Sequence, residues 1–497
     1  MNRKSQAPKK GLRPIMFVGT GSDVGKSVIT TGFCRIFKQD GYHPAPFKAQ
    51  NMSLNSYATP EGLEIGRAQA VQAEAAGIPC HTDMNPVLLK PTTDKSAQVV
   101  LHGEPAGNFS AFQYFGSGNR DLLFTEVKKA YHRLATRYSP IVMEGAGSIT
   151  EMNLKDRDIT NLRMALEAGA ATYLVADIDR GGIFGSLYGT MCLLTQEEKN
   201  LIKGIIINKF RGDPGLFAEG RKILEDLCRV PVTGILPYFR DIFIQEEDSI
   251  TAGHRRNGPA SGKVNIAVVL VKRLSNFTDF DCLRRDPRVN LFYASEAGAI
   301  RQADIIILPG SKNTLEDLVA LQHNGMAEAI RNAHQNNKTV IGICGGYQMM
   351  GERLEDPLHV ETTINSMNGL GLLPVKTIME TQKTTRQRLF RFRNYKAICN
   401  GYEIHMGATH PTREERPLNH FQDGGTDGYL LHDKCWGTYL HGILDNPAVV
   451  NELLAPYSGL PEEVFDYREY KDENYDKLAA LIRSHVDIEG IYKTLQS

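Results

Sequence analysis

Residues 15–27 read IMFVGTGSDVGKS, an apolar run followed by a glycine-rich loop that ends in Gly-Lys-Ser. The residues that follow have the periodicity of a helix with one apolar face. A loop between a strand and a helix points backbone N–H groups and the helix N-terminus at nucleotide phosphates. Lys26 is expected to reach the terminal phosphates of ATP, and the Ser27 hydroxyl to ligate Mg²⁺. The predicted loop contacts to ATP are Gly21, Val24, Gly25, Lys26 and Ser27.

Two residues outside the loop are further candidates for this nucleotide site. Glu144 follows a predicted strand at 141–143 and precedes a glycine-rich turn, so its carboxylate can hold Mg²⁺ opposite Ser27. The alternative is a solvated loop residue. Asn208 follows the predicted strand 204–207 and is a candidate contact to the nucleotide, although a plain strand-end turn is an equal interpretation.

Short β-branched runs alternate with helical patterns along the whole chain, which predicts parallel sheets with crossover helices. The fold class is therefore α/β, with two α/β domains of mainly parallel sheet, the first P-loop NTPase-like and the second flavodoxin-like. The predicted strands are 15–18, 141–143, 172–176, 204–207, 264–270, 304–308 and 339–343.

A polar, glycine-containing stretch, TAGHRRNGPASGK at 251–263, marks the domain boundary. Near the C-terminus, apolar residues from Leu478 to Ile488 recur at nearly helical spacing and predict an amphipathic helix packed on the body. The expected segments are a flexible N-terminus (1–13), an ATP-binding domain (14–250), the linker (251–263), a second domain (264–450) and a helical C-terminal extension (451–497).

Composition excludes several classes of function. The 497 residues carry 57 basic and 57 acidic side chains, so no net charge attracts a polyanion and we expect no nucleic-acid partner. No run approaches the ~18 apolar residues needed to span a bilayer, and no cleavage-like site follows the basic start, so we expect a cytoplasmic protein with no membrane partner. The 8 cysteines are scattered without a C-x-x-C pair, which favours reduced thiols.

One cysteine stands in a pattern typical of a nucleophile. Residues 342–346 read GICGG between a β-branched run and a helical run, which is the arrangement of a nucleophile elbow with Cys344 in place of serine. The glycines permit the tight turn that lifts the sulfur to the edge of the sheet. The alternative is a buried core thiol.

The partners of this nucleophile are predicted from later and earlier strand ends. His441, in YLHG, is the expected base, and His405 is its rival among the 14 histidines. A strand at 304–308 runs into Gly310 and Ser311, which we expect to form the oxyanion hole with the backbone N–H of Gly345.

Several longer motifs resemble one family, the cobyric acid synthases, and the resemblance covers nearly the whole chain from Ile15. In this family a dethiobiotin synthetase-like ATPase domain is fused to a class I-like glutamine amidotransferase domain. The motifs are KAQNMSLN (48–55), EIGRAQ (64–69), MNPVLLKP (84–91), DIDRGG (177–182), LPGSKNT (308–314), GICGGYQMMG (342–351), GYEIHMG (401–407) and YLHG (439–442).

The resemblance implies an activity and its substrates. It implies that glutamine and Mg-ATP are used to amidate the four b, d, e and g side-chain carboxylates of adenosylcobyrinic acid a,c-diamide, giving adenosylcobyric acid. The partners are then a corrinoid, L-glutamine and ATP, with a homodimer as one candidate assembly.

The resemblance also implies roles for residues of the first domain. Lys48 would neutralise the transferring phosphoryl group, and Glu64 would join Ser27 and Glu144 around Mg²⁺. Cations such as Arg67, Lys90 and Arg180 are candidates for the acceptor site, with ordinary surface charge as the alternative. The remaining substrate or phosphoryl candidates are Asn51, Asp177 and Asp179, and for the two aspartates a capping role is an equal interpretation.

The chain departs from ordinary class I glutaminases after the base. Two residues beyond His441 such a triad carries Glu, but Ile443 stands there. The site is then a Cys–His dyad, or a triad completed from elsewhere, for which Glu403 and Asp445 are candidates.

Three other functions are rivals of this hypothesis. The nearest is amidation at the a and c positions or of another acid, and KAQNMSLN argues against it through resemblance. A partitioning-type ATPase scaffold would lack glutaminase activity, which disagrees with an intact Cys344 and His441. A glutaminase that serves a separate synthase would have a broken phosphate loop, whereas Lys26 and Ser27 are present.

Overall fold

The computed structural model describes residues 11–93, 96–110, 117–245, 258–457 and 465–497. Their contacts divide the chain into two compact units. Unit 1 contains the described residues of Met1–Ser53, Ile65–Gln245 and Tyr470–Ser497, and unit 2 contains those of Leu54–Glu64 and Glu246–Glu469. Residues 251–257 of the predicted linker lie outside the described residues.

Strands and helices alternate in both parts of the chain, as the sequence predicts. The strands described before residue 246 are β1 (Ile15–Gly19), β2 (Ala45–Phe47), β3 (Gln50–Met52), β4 (Ser56–Ala58), β5 (Glu64–Gly66), β6 (Val87–Thr93), β7 (Ser96–Leu101), β8 (Glu104–Ser110), β9 (Ile141–Glu144), β10 (Ala171–Asp177), β11 (Ile202–Phe210) and β12 (Val232–Pro237). The helices in this range are α1 (Lys26–Gln39), α2 (Arg67–Ala76), α3 (Ser117–Ala135), α4 (Leu162–Ala168), α5 (Ile183–Leu193), α6 (Gln196–Leu201) and α7 (Ala218–Cys228).

The second part of the chain contains more antiparallel strand than the first. Its described strands are β13 (Val264–Val269), β14 (Val289–Ala294), β15 (Ile305–Leu308), β16 (Thr339–Ile343), β17 (Arg353–Glu355), β18 (Ser366–Asn368), β19 (Val375–Phe392), β20 (Cys399–Pro411), β21 (Asn419–Phe421), β22 (Thr426–Asp427), β23 (Tyr429–His432) and β24 (Cys435–Thr438). Its helices are α8 (Asp281–Arg285), α9 (Ala297–Gln302), α10 (Thr314–His323), α11 (Met326–Gln335), α12 (Gly345–Met350), α13 (Pro447–Leu454), α14 (Tyr467–His485) and α15 (Ile488–Gln496).

The central sheet of unit 1 has the strand order β12-β11-β10-β1-β9-β2. All neighbouring strands in it are parallel. The strands predicted at 15–18, 141–143, 172–176 and 204–207 are confirmed as β1, β9, β10 and β11. Because β1 lies between β9 and β10, the loop after β1 meets the carboxyl ends of both neighbours, where parallel sheets bind their ligands.

The C-terminal helices belong to unit 1 and pack on the helix that follows the phosphate loop. Leu478 and Ile482 of α14 are buried in one apolar cluster with Ile29, Phe33 and Ile36 of α1. The C-terminal extension is helical as predicted, and its amphipathic face covers α1. After the residues of unit 2, the chain returns to unit 1 with Tyr470–Ser497.

The parallel sheet of unit 2 has the order β14-β13-β15-β16-β24-β23. Numbered from β13, the five parallel strands follow the order 2-1-3-4-5, which is the flavodoxin-like arrangement. The edge strand β23 is antiparallel to β24. This order confirms the flavodoxin-like prediction for the second domain.

A second sheet of unit 2 is dominated by the long antiparallel pair β19 and β20. Residues Leu54–Glu64, which precede β6 in the sequence, belong to the same unit and contact this pair. Among the described helices none is long and apolar enough to cross a membrane.

Candidate functional site

The phosphate loop of unit 1 has the backbone geometry that its glycines predict. Gly25 has φ of 101°, and a Cβ there would lie 2.0 Å from Nδ2 of Asn208. Asn208 in turn donates from Nδ2 to the carbonyl of Val24 at 2.9 Å. The Lys26 ammonium donates to the carbonyls of Gly21 and Gly147 at 2.8 and 2.9 Å. Asn208 therefore stabilises the loop by hydrogen bonding to its backbone. The Lys26 ammonium bridges two carbonyls, one in the loop and one in the turn after β9.

Glu144 gathers polar side chains from three elements at the carboxyl end of β9. Its Oε1 accepts hydrogen bonds from the Ser27 hydroxyl at 2.8 Å and from the Lys48 ammonium at 2.9 Å. Its Oε2 accepts from Nε2 of Gln72 at 2.6 Å. Burial raises the pKa of Glu144, but Lys48, Gln72 and Ser27 outweigh burial and hold this pKa below its usual range. The structure thus brings together Ser27, Lys48 and Glu144 with an ionised carboxylate among them.

The other predicted residues of unit 1 are divided between this cluster and a charged turn. Asn51 is buried and donates from Nδ2 to Gln69 at 3.1 Å. Asp177 Oδ2 lies 2.9 Å from the Lys209 ammonium, and its Oδ1 accepts the backbone N–H of Asp179 at 2.8 Å. Asp177 therefore caps its own turn, which is the alternative that the sequence left open.

Glu64, which the resemblance implies as a third Mg²⁺ ligand, belongs to unit 2. Its fully buried carboxylate forms an ion pair with Lys383. A buried carboxylate needs a compensating cation, and Lys383 supplies one.

Cys344 lies in a strained turn between β16 and α12. Its φ of 51° and ψ of −111° depart from the helical and extended regions that ordinary residues occupy. A Cβ at Gly346 would lie 2.0 Å from the carbonyl oxygen of Leu308, and one at Gly342 would lie 2.6 Å from the backbone nitrogen of Tyr347. The GICGG sequence therefore has glycines because neighbouring backbone occupies the space of their side chains, and the turn has the form of a nucleophile elbow.

His441 faces the carboxylate of Asp279 at the end of β24. Its Nδ1 lies 2.7 Å from Oδ2 of Asp279, and Oδ1 of the same carboxylate accepts the backbone N–H of Gly442 at 3.0 Å. Both side chains are almost completely buried. A carboxylate at Nδ1 holds the proton there and leaves Nε2 available to accept one, which is the tautomer that a general base requires.

The charge environment of His441 favours its imidazolium form. Burial lowers the pKa of His441, but Asp279 and the thiol of Cys344 raise it more, to about 10. An imidazolium that is stabilised in this way supports the formation of a thiolate beside it.

The third member of the site differs from both sequence candidates. The Glu403 carboxylate instead accepts a hydrogen bond from Nε of Arg388 at 2.6 Å and lies 3.5 Å from Nε2 of His405. Asp279 takes the position beside His441 for which Asp445 was the other sequence candidate. The rival base His405 stacks on Tyr439 with ring centroids 3.7 Å apart, and its Nδ1 lies 2.8 Å from the carbonyl of Gly407. The Cys, His and Asp side chains come from the ends of β16 and β24 and from the segment after β13.

The predicted oxyanion residues lie together next to Cys344. A Cβ built on Gly345 would lie 2.8 Å from the backbone nitrogen of Ser311, and one on Gly310 would lie 3.3 Å from Cε1 of His441. The Ser311 hydroxyl donates to Asp317 at 2.6 Å, which fixes the turn and leaves the backbone as the part that faces Gly345. Gly310, Ser311 and Gly345 therefore lie close to one another and to the imidazole of His441.

Asp279 is the functional residue that sequence reasoning missed. It lies in FTDF, a short 3-10 turn at Phe277–Phe280 that precedes the nucleophile in the chain. The sequence candidates for the third member were Glu403 and Asp445, which both follow the nucleophile. The available signal was the position of this turn after the first strand of a parallel sheet, where side chains from neighbouring strand ends converge.

The fold and the two sites define a nucleotide-binding P-loop domain joined to a glutamine amidotransferase. Residues 15–251 match the CobQ/CobB/MinD/ParA nucleotide binding domain, and residues 265–449 match the CobB/CobQ-like glutamine amidotransferase domain. The chain belongs to the cobyric acid synthase family.

Full-length relatives establish this membership. The chain is 60% identical to a cobyric acid synthase of Bacteroides fragilis over 98% of this chain and 99% of the relative. It is 60% identical to that of Parabacteroides distasonis over 98% and 100% of the two chains. A relative from Syntrophobacter fumaroxidans is 47% identical over 97% and 98%.

Proposed function

We propose that this chain converts adenosylcobyrinic acid a,c-diamide to adenosylcobyric acid in cobalamin biosynthesis. In this reaction the amide nitrogen of glutamine replaces an oxygen of each of four side-chain carboxylates, at positions b, d, e and g. The observation that carries the proposal is the 60% identity over nearly the full length to relatives named cobyric acid synthase. Both sites that such a reaction requires are present in the same chain.

Unit 2 would release ammonia from glutamine. Cys344 gives its proton to His441, and the sulfur attacks the amide carbon of glutamine. The backbone N–H groups of Ser311 and Gly345 stabilise the oxyanion. His441 then returns the proton to the leaving ammonia, and Asp279 holds its ring in the required tautomer. Water hydrolyses the thioester to glutamate and regenerates the thiol.

Unit 1 would activate the acceptor, because a carboxylate does not react with ammonia unless its oxygen becomes a better leaving group. The acceptor carboxylate attacks the γ-phosphorus of ATP, ADP leaves, and an acyl phosphate forms. Lys26 and Lys48 neutralise charge on the transferring phosphoryl group. Ammonia then attacks the acyl carbon, phosphate leaves, and the nitrogen loses a proton to give the amide.

Ser27 and Glu144 are the residues that would hold Mg²⁺ at this site. A hydroxyl and a carboxylate joined by a hydrogen bond offer the hard oxygen ligands that Mg²⁺ prefers, and this ion usually keeps several waters. When bound, Mg²⁺ would neutralise phosphate charge. Within the described residues no group of three or more His, Cys, Asp and Glu side chains forms a metal cluster, which fits an ion with few protein ligands.

Mass spectrometry of the corrinoid tests the proposal. The full chain is incubated with adenosylcobyrinic acid a,c-diamide, Mg-ATP and glutamine, and stepwise conversion of acids to amides is expected. With free ammonia in place of glutamine, Cys344→Ala is expected to retain amidation, because only the ammonia source is lost. Lys26→Ala is expected to lose amidation with either nitrogen source.

The wild-type control distinguishes a wrong acceptor from a wrong mechanism. Glutamine hydrolysis without any change in the corrinoid would reject this acceptor and leave the two-site mechanism in place. Loss of ammonia-dependent amidation in Cys344→Ala would reject the division of labour between the two units.

A further inference from the structure

Residues Leu54–Glu64 belong to the nucleotide-binding half in sequence but to unit 2 in structure. They lie inside the region 15–251 that matches the nucleotide-binding domain, yet their contacts assign them to the same unit as Cys344 and His441. The nucleotide-binding sequence therefore contributes a segment to the glutaminase unit.

The segment is anchored in unit 2 at its C-terminal part. The buried Glu64 pairs with Lys383, and Gln387 donates from Nε2 to the carbonyl of Ala58 at 2.8 Å. A tight turn between these anchors is closed by the backbone N–H of Thr59, which donates to Leu63 at 2.7 Å. These contacts hold the segment on β19, so its N-terminal residues have a fixed position.

The N-terminal part of the segment forms hydrogen bonds with the turn that carries Asp279. The backbone N–H of Ser56 donates to Oδ1 of Asn276 at 2.9 Å, and Oδ1 of Asn55 accepts the backbone N–H of Phe277 at 3.2 Å. The carbonyl of Asn276 also accepts the backbone N–H of Asp279 at 3.0 Å. Asn276 has φ of 52°, in the left-handed region that asparagine occupies more readily than most other residues.

The same segment reaches His441 through one intervening aromatic ring. Tyr57 packs on Tyr402 with ring centroids 4.5 Å apart, and Tyr402 stacks on the imidazole of His441 with centroids 5.4 Å apart and planes 24° from parallel. The backbones of Tyr402 and His441 also exchange two hydrogen bonds, of 3.0 and 2.8 Å. The ring of Tyr57 therefore limits the movement of the ring that covers His441.

We infer that Leu54–Glu64 is a structural part of the glutaminase site, and that Asn55 and Tyr57 are positioning residues for Asp279 and His441. Asn55 fixes the turn that presents the carboxylate, and Tyr57 fixes the ring that orients the imidazole. The inference rests on the glutaminase role proposed for Cys344. Glutamine hydrolysis by this chain then depends on a piece of its nucleotide-binding sequence.

The test uses the full chain with Tyr57→Ala, Asn55→Ala and the ring-retaining Tyr57→Phe. We expect the kcat of glutamine hydrolysis to fall on the order of 10- to 100-fold in the two alanine variants with little change in KM, because a misplaced base slows chemistry more than binding. Tyr57→Phe is expected to remain near wild type. Tyr395→Ala is the matched control, since this tyrosine of unit 2 packs on Phe392 and not on Tyr402.

A second readout reports the Cys344–His441 pair directly. The rate at which iodoacetamide alkylates Cys344, followed by peptide mass spectrometry as pH varies, measures how readily the thiolate forms. We expect its midpoint to move to higher pH in Tyr57→Ala and Asn55→Ala and to stay in place in Tyr57→Phe and Tyr395→Ala. A purely structural role would lower the melting temperature without moving this midpoint.

Three outcomes would overturn the inference. They are a wild-type kcat and alkylation midpoint in both alanine variants, an equal loss in Tyr395→Ala, or a loss in Tyr57→Phe as large as in Tyr57→Ala. If Tyr57→Ala does not fold, Asn55→Ala carries the same test. A wild type that alkylates normally but hydrolyses no glutamine would reject the proposed glutaminase function, and the alkylation midpoints would still decide the positioning role.

Discussion

The imidazole of His441 and the carboxylate of Asp279 meet at 2.7 Å although the residues are separated by 162 positions in the sequence. The proposed triad therefore has the chain order Asp, Cys, His, with the acid on the segment after the first strand of the flavodoxin-like sheet. An acid at this position can perform the same task as one that follows the histidine, because geometry and not chain order defines the role.

Replacement of Asp279 by Asn tests this assignment. The amide keeps the shape of the side chain but no longer stabilises the imidazolium or selects the proton on Nδ1. We expect kcat for glutamine hydrolysis to fall on the order of 10³- to 10⁴-fold. Ammonia-dependent amidation is expected to stay at the wild-type rate, since it does not use this site. Both rates are measured on the same preparation.

Glu403→Gln is the matched control, because Glu403 was the sequence candidate for the same role and lies against Arg388. It is expected to hydrolyse glutamine within a few-fold of wild type. A loss in Glu403→Gln that exceeds the loss in Asp279→Asn would return the acid role to Glu403.

The raised pKa of His441 predicts a pH dependence of stability. The pKa of this imidazole is about 10 in the folded chain, against an ordinary value of 6.5. A group whose pKa is raised by folding contributes its full stabilisation at pH values below its pKa in the unfolded chain. This stabilisation is lost as pH rises through the pKa of the group in the folded chain. The difference in unfolding free energy between wild type and Asp279→Asn should therefore be largest near pH 6 and shrink towards pH 10.

Urea unfolding at pH 6, 8 and 10 measures this difference. Glu403→Gln serves as the reference, because burial raises the pKa of Glu403 but His405 and Arg388 outweigh burial and hold this pKa below its usual range. The stability from this lowered pKa is fully present from pH 6 to 10 and is lost only as pH falls into the acidic range. A difference for Asp279→Asn that is constant from pH 6 to 10 would contradict an ion pair between Asp279 and His441.

Local sequence was sufficient for the parts of both sites that depend on one strand, one turn and one helix. The phosphate loop and the Cys344 elbow were predicted because a strand, a glycine-rich turn and a helix follow one another directly in the sequence. Asp279 was not predicted, since its role comes from the convergence of distant strand ends. The ion pair of Glu64 with Lys383 was not predicted for the same reason, because nothing near Glu64 in sequence indicates Lys383.

The ion pair of Glu64 and Lys383 predicts a strong effect of removing one charge. Lys383→Met would leave the buried carboxylate without its lysine, and we expect a loss of roughly 3–5 kcal/mol in unfolding free energy. The double variant Glu64→Gln with Lys383→Met is expected to recover part of this loss. Chemical denaturation of Lys383→Met, Glu64→Gln and the double variant measures the coupling.

The resemblance implies the same carboxylate as a Mg²⁺ ligand, and substitution tests this role. The Mg²⁺ concentration for half-maximal amidation is expected to rise in Glu144→Gln, whose carboxylate faces Ser27, and to rise equally in Glu64→Gln if Glu64 also holds the ion. An unchanged Mg²⁺ requirement in Glu64→Gln would confine the role of Glu64 to the ion pair with Lys383.

The C-terminal helix α14 should contribute to the stability of the nucleotide-binding unit. A Cβ at Gly32 of α1 would lie 2.2 Å from Cδ1 of Ile482, so Ile482 fills the space that this glycine leaves. Ile482→Ala would open a cavity against the helix that carries Lys26 and Ser27, and we expect a loss of about 2–5 kcal/mol in unfolding free energy.

Mg-ATP stabilises the unit that binds it, so the thermal transition that Mg-ATP raises belongs to unit 1. Ile482→Ala should lower that transition, whereas Leu481→Ala, at a half-buried position of the same helix, should lower it much less. Equal losses, or a loss confined to the transition that Mg-ATP does not raise, would show that α14 supports the fold elsewhere than at α1.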